Sequence, residues 1–159
     1  MDYKALLETP EYDFLRNEIH IKDRILFLAL SGSHAYGTNV EGSDLDIRGV
    51  ALDRVEALIG MDRFEQYNDS KTDTTIYSLS KFSALAQACN PNVIELLFVK
   101  PEHILYVSPL GKRLFENRRL FLSQRAIPAF GGYANDQLNR LENALMRQNT
   151  VEACLIKAE

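Results

Sequence analysis

The run Ile25-Leu-Phe-Leu-Ala-Leu30 is short and continuously apolar, the pattern of a strand buried on both faces. Ahead of it, Thr9-Pro10-Glu11 carries the marks of a helix start: a Thr cap, Pro in the first helical position and an acid in the first turn. Phe14, Leu15 and Ile19 give that helix an apolar face, with His20 near its end as a surface or capping residue. After the apolar run the chain turns polar and glycine-rich, then reads as extended over Asp44–Val50. Alternation there puts Asp44, Asp46 and Arg48 on one face and Leu45 and Ile47 on the other. Residues 53–60 read as a short helix closed by Gly60.

Farther along, Arg63–Asn68, the turn Asn68–Lys71 and Thr72–Tyr77 predict an antiparallel hairpin, with Asp73, Thr75 and Tyr77 on one face. Ser78 caps a helix whose apolar positions Leu79, Phe82, Leu85, Ala86 and Cys89 follow the 3.6-residue period. Asn90-Pro91 ends it and opens another over 92–98, with Ile94 and Leu97 inward. Gly131-Gly132 is expected to hinge into a last helix with Tyr133, Leu138, Leu141 and Leu145 as its stripe, continuing through Val151, Leu155 and Ile156. The pattern predicts an α/β fold: a small mixed β-sheet backed by helices over residues 1–108, then a helical C-terminal region over 109–159. No Gly, Pro or cap stops the final helix, so that region is expected to be incomplete.

Composition narrows the partners. A net charge of −4 argues against a surface that binds nucleic acid as a whole, so such contact requires a local patch. One is present: Lys112, Arg113, Arg118, Arg119 and Arg125 stand against the single acid Glu116. Solvated basic helix faces are common, and that reading has the edge. Cys89 and Cys154 lack metal-ligand spacing and read as free thiols of a reducing compartment. No stretch reaches eighteen apolar residues, and no signal peptide precedes the first helix. A cytoplasmic protein without membrane contact is expected; oligomeric state is not readable.

Candidate chemistry concentrates in Ser31–Val50, where ten residues separate Ser33 from Asp44. Side-by-side carboxylates at Asp44 and Asp46 repel unless a cation lies between them. Hard divalent ions suit them, and Mg²⁺ takes one or two carboxylates together with substrate phosphates. Gly32 and Ser33 form a small-residue turn able to turn backbone N–H groups toward a phosphate. In the intervening loop, Tyr36 offers stacking and Thr38 a phosphate hydrogen bond, while His34 reads better as loop structure. Gly37 and Gly42 suit turns with positive φ. Asp73, at the head of a β-branched run, is a candidate third carboxylate; alone, it would read as a solvated residue beside a turn. Asp69 reads as a turn residue bonding its own backbone. Glu95 reads as a paired structural acid, and Lys81 as a solvated helix lysine.

Gly-Ser, ten residues and Asp-x-Asp after a buried strand resemble the nucleotidyltransferase signature of the DNA polymerase β superfamily. The fuller string Gly-Ser-His-Ala-Tyr-Gly-Thr with Gly-Ser-Asp-Leu-Asp-Ile-Arg-Gly-Val is similar to its RlaP/YcgL-like predicted nucleotidyltransferases, over about residues 10–145. Asn-Pro-Asn-Val-Ile-Glu-Leu-Leu-Phe and Ile-Leu-Tyr-Val-Ser-Pro-Leu-Gly resemble the same branch, whose members look longer. The resemblance implies transfer of a nucleoside monophosphate from a nucleoside triphosphate to an acceptor hydroxyl, with an RNA end one candidate, and release of pyrophosphate. It implies Mg²⁺ or Mn²⁺ on Asp44, Asp46 and Asp73, with Asp73 serving the metal that activates the acceptor. Gly32, Ser33, Tyr36, Thr38 and Arg48 would then serve the nucleotide. The alternative is a nucleotide-binding or antitoxin-like module that keeps the fold without turnover.

Overall fold

A computed structural model describes residues 3–156, with side chains through residue 147. The fold is α/β: one five-stranded mixed sheet with helices on both faces and a long C-terminal helix. In chain order the strands are β1 (Ile25–Leu30), β2 (Ile47–Ala51), β3 (Gln66–Asp69), β4 (Thr74–Ser78) and β5 (Ile104–Val107). Their order across the sheet is β3-β4-β2-β1-β5. β1 runs antiparallel to both β2 and β5, and β3 antiparallel to β4, while β2 and β4 are parallel with Ile47 opposite Thr74. The predicted hairpin is therefore present, shortened to β3 and β4. β5 had no reading as a strand in the sequence.

β1 is buried on both sides as its unbroken apolar run predicts. Leu28 and Leu30 join Ile47, Ile76 and Leu105 on the face covered by the N-terminal segment, with Tyr12, Leu15 and Ile21. Leu26, Phe27 and Ala29 face the other way onto Phe82, Ala86, Val93 and Leu97. Those four belong to α5 (Leu79–Gln87) and α6 (Pro91–Leu97). Ser78 caps α5 as predicted, its Oγ accepting from the Lys81 amide at 3.0 Å.

Four expectations need correction. The helix predicted from Thr9 is a single 3-10 turn (Pro10–Tyr12) followed by α2 (Phe14–Asn17). Thr9 does not cap it; its hydroxyl donates backward to the Leu6 carbonyl at 2.8 Å, closing the turn after α1 (Tyr3–Leu6). Ile19, expected inward, is exposed. The extended segment Asp44–Val50 becomes a strand only at Ile47; Ser31 N–H still reaches the Asp46 carbonyl (2.9 Å), in register with Leu30 opposite Ile47. The last helix, α8 (Ala126–Ile156), runs straight through Gly131 and Gly132, which lie within it and mark no hinge. Two glycines in a helix interior cost about 1 kcal/mol each, a sum that 31 continuous residues tolerate. Its stripe is not a core stripe, since Leu138, Leu141 and Leu145 are all more than half exposed.

The remaining elements are α3 (Gly32–Tyr36), α4 (Val55–Ile59) and α7 (Pro109–Glu116). Cys89 is a buried free thiol beside the Phe121 carbonyl and the Ser123 hydroxyl; the side chains of Cys154, Val151, Leu155 and Ile156 lie outside the described residues. No described helix is long and apolar enough to cross a membrane.

Gly49 gives this architecture a direct test. A Cβ there would meet Leu28 Cδ2 at 2.5 Å and the Phe27 carbonyl oxygen at 2.8 Å, both inside the β1–β2 pair. Gly49→Ala is expected to lower unfolding free energy by about 1–3 kcal/mol, the usual cost of overpacking a core. Denaturant titration followed by circular dichroism checks it; an unchanged midpoint would place this pair of strands differently.

Candidate active site

The site is built where β1, β2 and β4 meet their loops. β1 ends at Leu30, Ser31 turns the chain, and Gly32 opens α3 with φ +59°. A Cβ on Gly32 would lie 2.0 Å from Asp46 Oδ2, so the glycine is what lets the Asp46 carboxylate close over this turn. Ser31 N–H to the Asp46 carbonyl ties the same two segments by backbone. The Gly-Ser element and the Asp-x-Asp, ten residues apart in the loop, thus form one contact.

Asp73 arrives from the other direction. Parallel pairing of β2 with β4 sets the residue before each strand side by side, and these residues are Asp46 and Asp73. Ile47 N–H donates to the Asp73 carbonyl at 3.2 Å, fixing that register. Asp73 is not on the strand, as the sequence reading had it. It sits in the turn ahead of β4 with φ +42°, its side chain about half exposed.

Arg48 lies between the two acids. Nη2 donates to Asp46 Oδ1 at 3.1 Å, and Nη1 reaches Asp73 Oδ1 at 3.4 Å and the Asp73 carbonyl at 2.9 Å. Thr75 Oγ1 is 3.3 Å from the same nitrogen, so Arg48, Asp46, Asp73 and Thr75 do share a side of the sheet. Partial burial pushes the Asp46 carboxyl above its ordinary range, and the hydrogen-bonded, negatively charged Asp73 pushes it further; Arg48 pulls it down, and Asp44 adds a weaker upward push.

Asp44 stands apart from this pair. It is exposed, in the loop before β2, and lines a polar groove of about 610 Å³ with Ser43, Thr72 and Asp73. Asp46 and Arg48 instead line a cavity of about 310 Å³ with Gly32, Tyr36, Thr75 and Glu95. Asp73 thus faces one opening and Asp46 the other. Among the described residues, no three His, Cys, Asp or Glu side chains are gathered as a metal centre. Asp46 and Asp73 nevertheless fit a hard divalent cation: two carboxylates in contact, one with a raised pKa, their charge now answered by a guanidinium.

The other candidates divide. Ser33 and Thr38 belong to the end of α3: Thr38 N–H donates to the Ser33 carbonyl at 3.0 Å, with Gly37 left-handed between them. Gly37 and Gly42 have φ +71° and +84°, as expected of them. His34 is structural: Nδ1 lies 3.3 Å from the Tyr3 hydroxyl and Nε2 3.3 Å from the Ser43 carbonyl. Tyr36 donates its hydroxyl to Glu95 Oε2, so Glu95 is the paired acid predicted; partial burial and that carboxylate hold the Tyr36 hydroxyl protonated, well above the usual tyrosine range. Lys81 is paired with Glu65 at 2.8 Å. Asp69 Oδ2 accepts from Thr72 N–H (2.9 Å) and Thr72 Oγ1 (2.8 Å), the turn bond expected there. Tyr133 of α8, Gln66 and Asn92 also line the 310 Å³ cavity, and no local signal in the sequence pointed to them.

A family model described as RlaP, the RNA repair pathway DNA polymerase beta family, matches residues 9–155. The chain belongs to that family. Membership supports nucleotidyl transfer as the general chemistry and a nucleotide as substrate. The matched span includes every candidate residue discussed above, from Gly32 to Asp73, as well as Glu95 and Tyr133. No curated protein matches the chain. One solved structure, described as "Crystal structure of the toxin-antitoxin with AMP-PNP", is similar at 18% identity, covering 91% of this chain and 98% of that one, with a TM-score of 0.32.

Two substitutions test the geometry. Gly32→Ala adds a clash with Asp46 to an unfavourable positive φ, and about 1–3 kcal/mol of lost stability is expected by chemical denaturation. Asp46→Asn keeps the shape and removes the charge. The raised pKa means that protonated Asp46 favours the fold below its unfolded pKa, near 4, and that this advantage disappears as pH rises through the folded value. In chelator-containing buffer, the melting temperature of Asp46→Asn relative to wild type should therefore climb between pH 4 and pH 7. A flat or falling difference would mean that Arg48 already outweighs Asp73 and burial.

Proposed function

We propose that this protein is a metal-dependent nucleotidyltransferase that moves a nucleoside monophosphate from a nucleoside triphosphate to an acceptor hydroxyl. The observation that carries the reading is the Asp46–Asp73 pair, with Asp46 closed against Gly32, in a chain of a DNA polymerase β-type family. The acceptor oxygen bonds to the α-phosphorus as the bond to the α–β bridging oxygen breaks, the hydroxyl proton passes to solvent water, and pyrophosphate leaves. Mg²⁺ or Mn²⁺ on Asp44, Asp46 and Asp73 would supply electrostatic clamping of the attacking and leaving oxygens. Gly32 and Ser33 would turn backbone N–H groups toward the phosphates, with Tyr36 and Thr38 beside them. Arg48 answers part of the acids' charge, and with a metal held by them its guanidinium would be free to turn to phosphate oxygens. An RNA end is the acceptor to test first, because the family is described by RNA repair.

The placement of Arg48 also favours a second reading, a nucleotide-binding module without turnover, in which the guanidinium stays between the acids. Incubation with each α-labelled triphosphate, Mg²⁺ or Mn²⁺, and cellular RNA or protein separates the two. Label on RNA or protein with release of pyrophosphate supports transfer; nucleotide binding with neither supports the module.

The roles of the acids differ by where they face. Asp73, bordering the polar groove, is expected to serve the acceptor side, so Asp73→Asn should reduce kcat at least about a hundred-fold with a small change in nucleotide affinity. Asp69→Asn should leave kcat within about three-fold, since its carboxylate is committed to the Thr72 turn. Steady-state kinetics on the labelled acceptor checks the ranking, and the reverse order would remove Asp73 from the site.

A further inference from the structure

A second cavity, of about 210 Å³, lies across the Ser31–Gly32 turn from Asp46. Ser31, Gly32, Tyr36, Glu95 and Leu96 border both it and the cavity containing Asp46 and Arg48, so one extended molecule can occupy the two. Its floor is apolar, from Leu30, Ala35, Leu96 and Val99. Two aromatic rings stand at its edge, Tyr36 and Phe98, exposed by 62% and 39%. Phe98 is held in place by the Arg118 guanidinium, 5.0 Å from the ring centroid, and Arg118 does not itself line the cavity. Glu95, Lys100 and His103 complete the wall with an acceptor, a donor and an imidazole able to be either. His103 Nδ1 is shut away from solvent without a hydrogen-bond partner, a condition that buried polar groups rarely keep.

We propose that this cavity receives the base of the nucleoside triphosphate whose phosphates lie at Gly32. An apolar floor, exposed aromatic faces and a few polar groups at the edge match a flat heteroaromatic ring, which stacks by its faces and hydrogen-bonds by its rim. Lys100, Glu95 and His103, which line the cavity, are positioned to read that rim and so to choose among bases. The acceptor belongs elsewhere, because neither Asp73 nor Asp44 borders this cavity and both line the polar groove on the other side of the acids. The inference rests on the triphosphate reading of the Gly32 turn, and its test keeps the two apart.

Isothermal titration with Mg²⁺ compares ATP, GTP, CTP, UTP and inorganic tripolyphosphate, which has the phosphates but no base. Wild type should bind its preferred nucleotide more tightly than tripolyphosphate. Val99→Trp, which fills the cavity, and Phe98→Ala, which removes a stacking face, should weaken that nucleotide about ten-fold while changing tripolyphosphate by less than about two-fold. His103→Ala should narrow the spread among the four bases. Calorimetric melting identifies a variant that has lost its fold, and Phe98→Ala then decides alone if Val99→Trp is the casualty. Unchanged nucleotide affinity in the folded variants would overturn the base slot and leave the phosphate site standing. Failure of wild type to bind either tripolyphosphate or nucleotide would overturn both.

Discussion

The parallel pairing of β2 with β4 is the constraint on which the site depends. It sets Asp46 beside Asp73 at the entry to two strands, with Arg48 reaching back from the second position of β2 to hold both. Without it, Asp73 is a turn residue of a hairpin and Asp46 a loop residue 27 positions away. The charge problem this creates is local: partial burial and the adjoining Asp73 carboxylate raise the pKa of Asp46. The Arg48 guanidinium offsets it only in part. In the proposed reaction a divalent ion would answer it more compactly, leaving the guanidinium for a phosphate.

Gly32 is the second half of the same device. The absence of a side chain there allows the Asp46 carboxylate to rest on the turn that opens α3, so acid and prospective phosphate contact are separated by a single backbone. Bulk on that turn would part them.

Much of this was legible in the chain, for identifiable reasons. The double burial of β1 followed from its unbroken apolar run, the cap at Ser78 from its place before a periodic helix, and the turn bond of Asp69 from its neighbours. These are local signals. The spacing from Ser33 to Asp44 located the candidate site, but not that Asp46 alone would close on Gly32 while Asp44 faced another opening. Asp73 was singled out by the resemblance, and alternation placed it on the strand, whereas a left-handed turn and a parallel partner set it beside Asp46. β5 was missed because its four residues alternate weakly at the sheet edge beside β1. Gly131-Gly132 read as a break because helix propensity is a weak prior that a long continuous helix overrides.

The same topology orders the events of folding. β3 and β4 are joined by a four-residue turn and can pair early, whereas β2 must find β4 across that whole hairpin and α4, a non-local closure of the slower kind. Asp46, Arg48 and Asp73 meet only at that closure. The two acids and the arginine between them are therefore brought together by a tertiary pairing and by no local element of the chain.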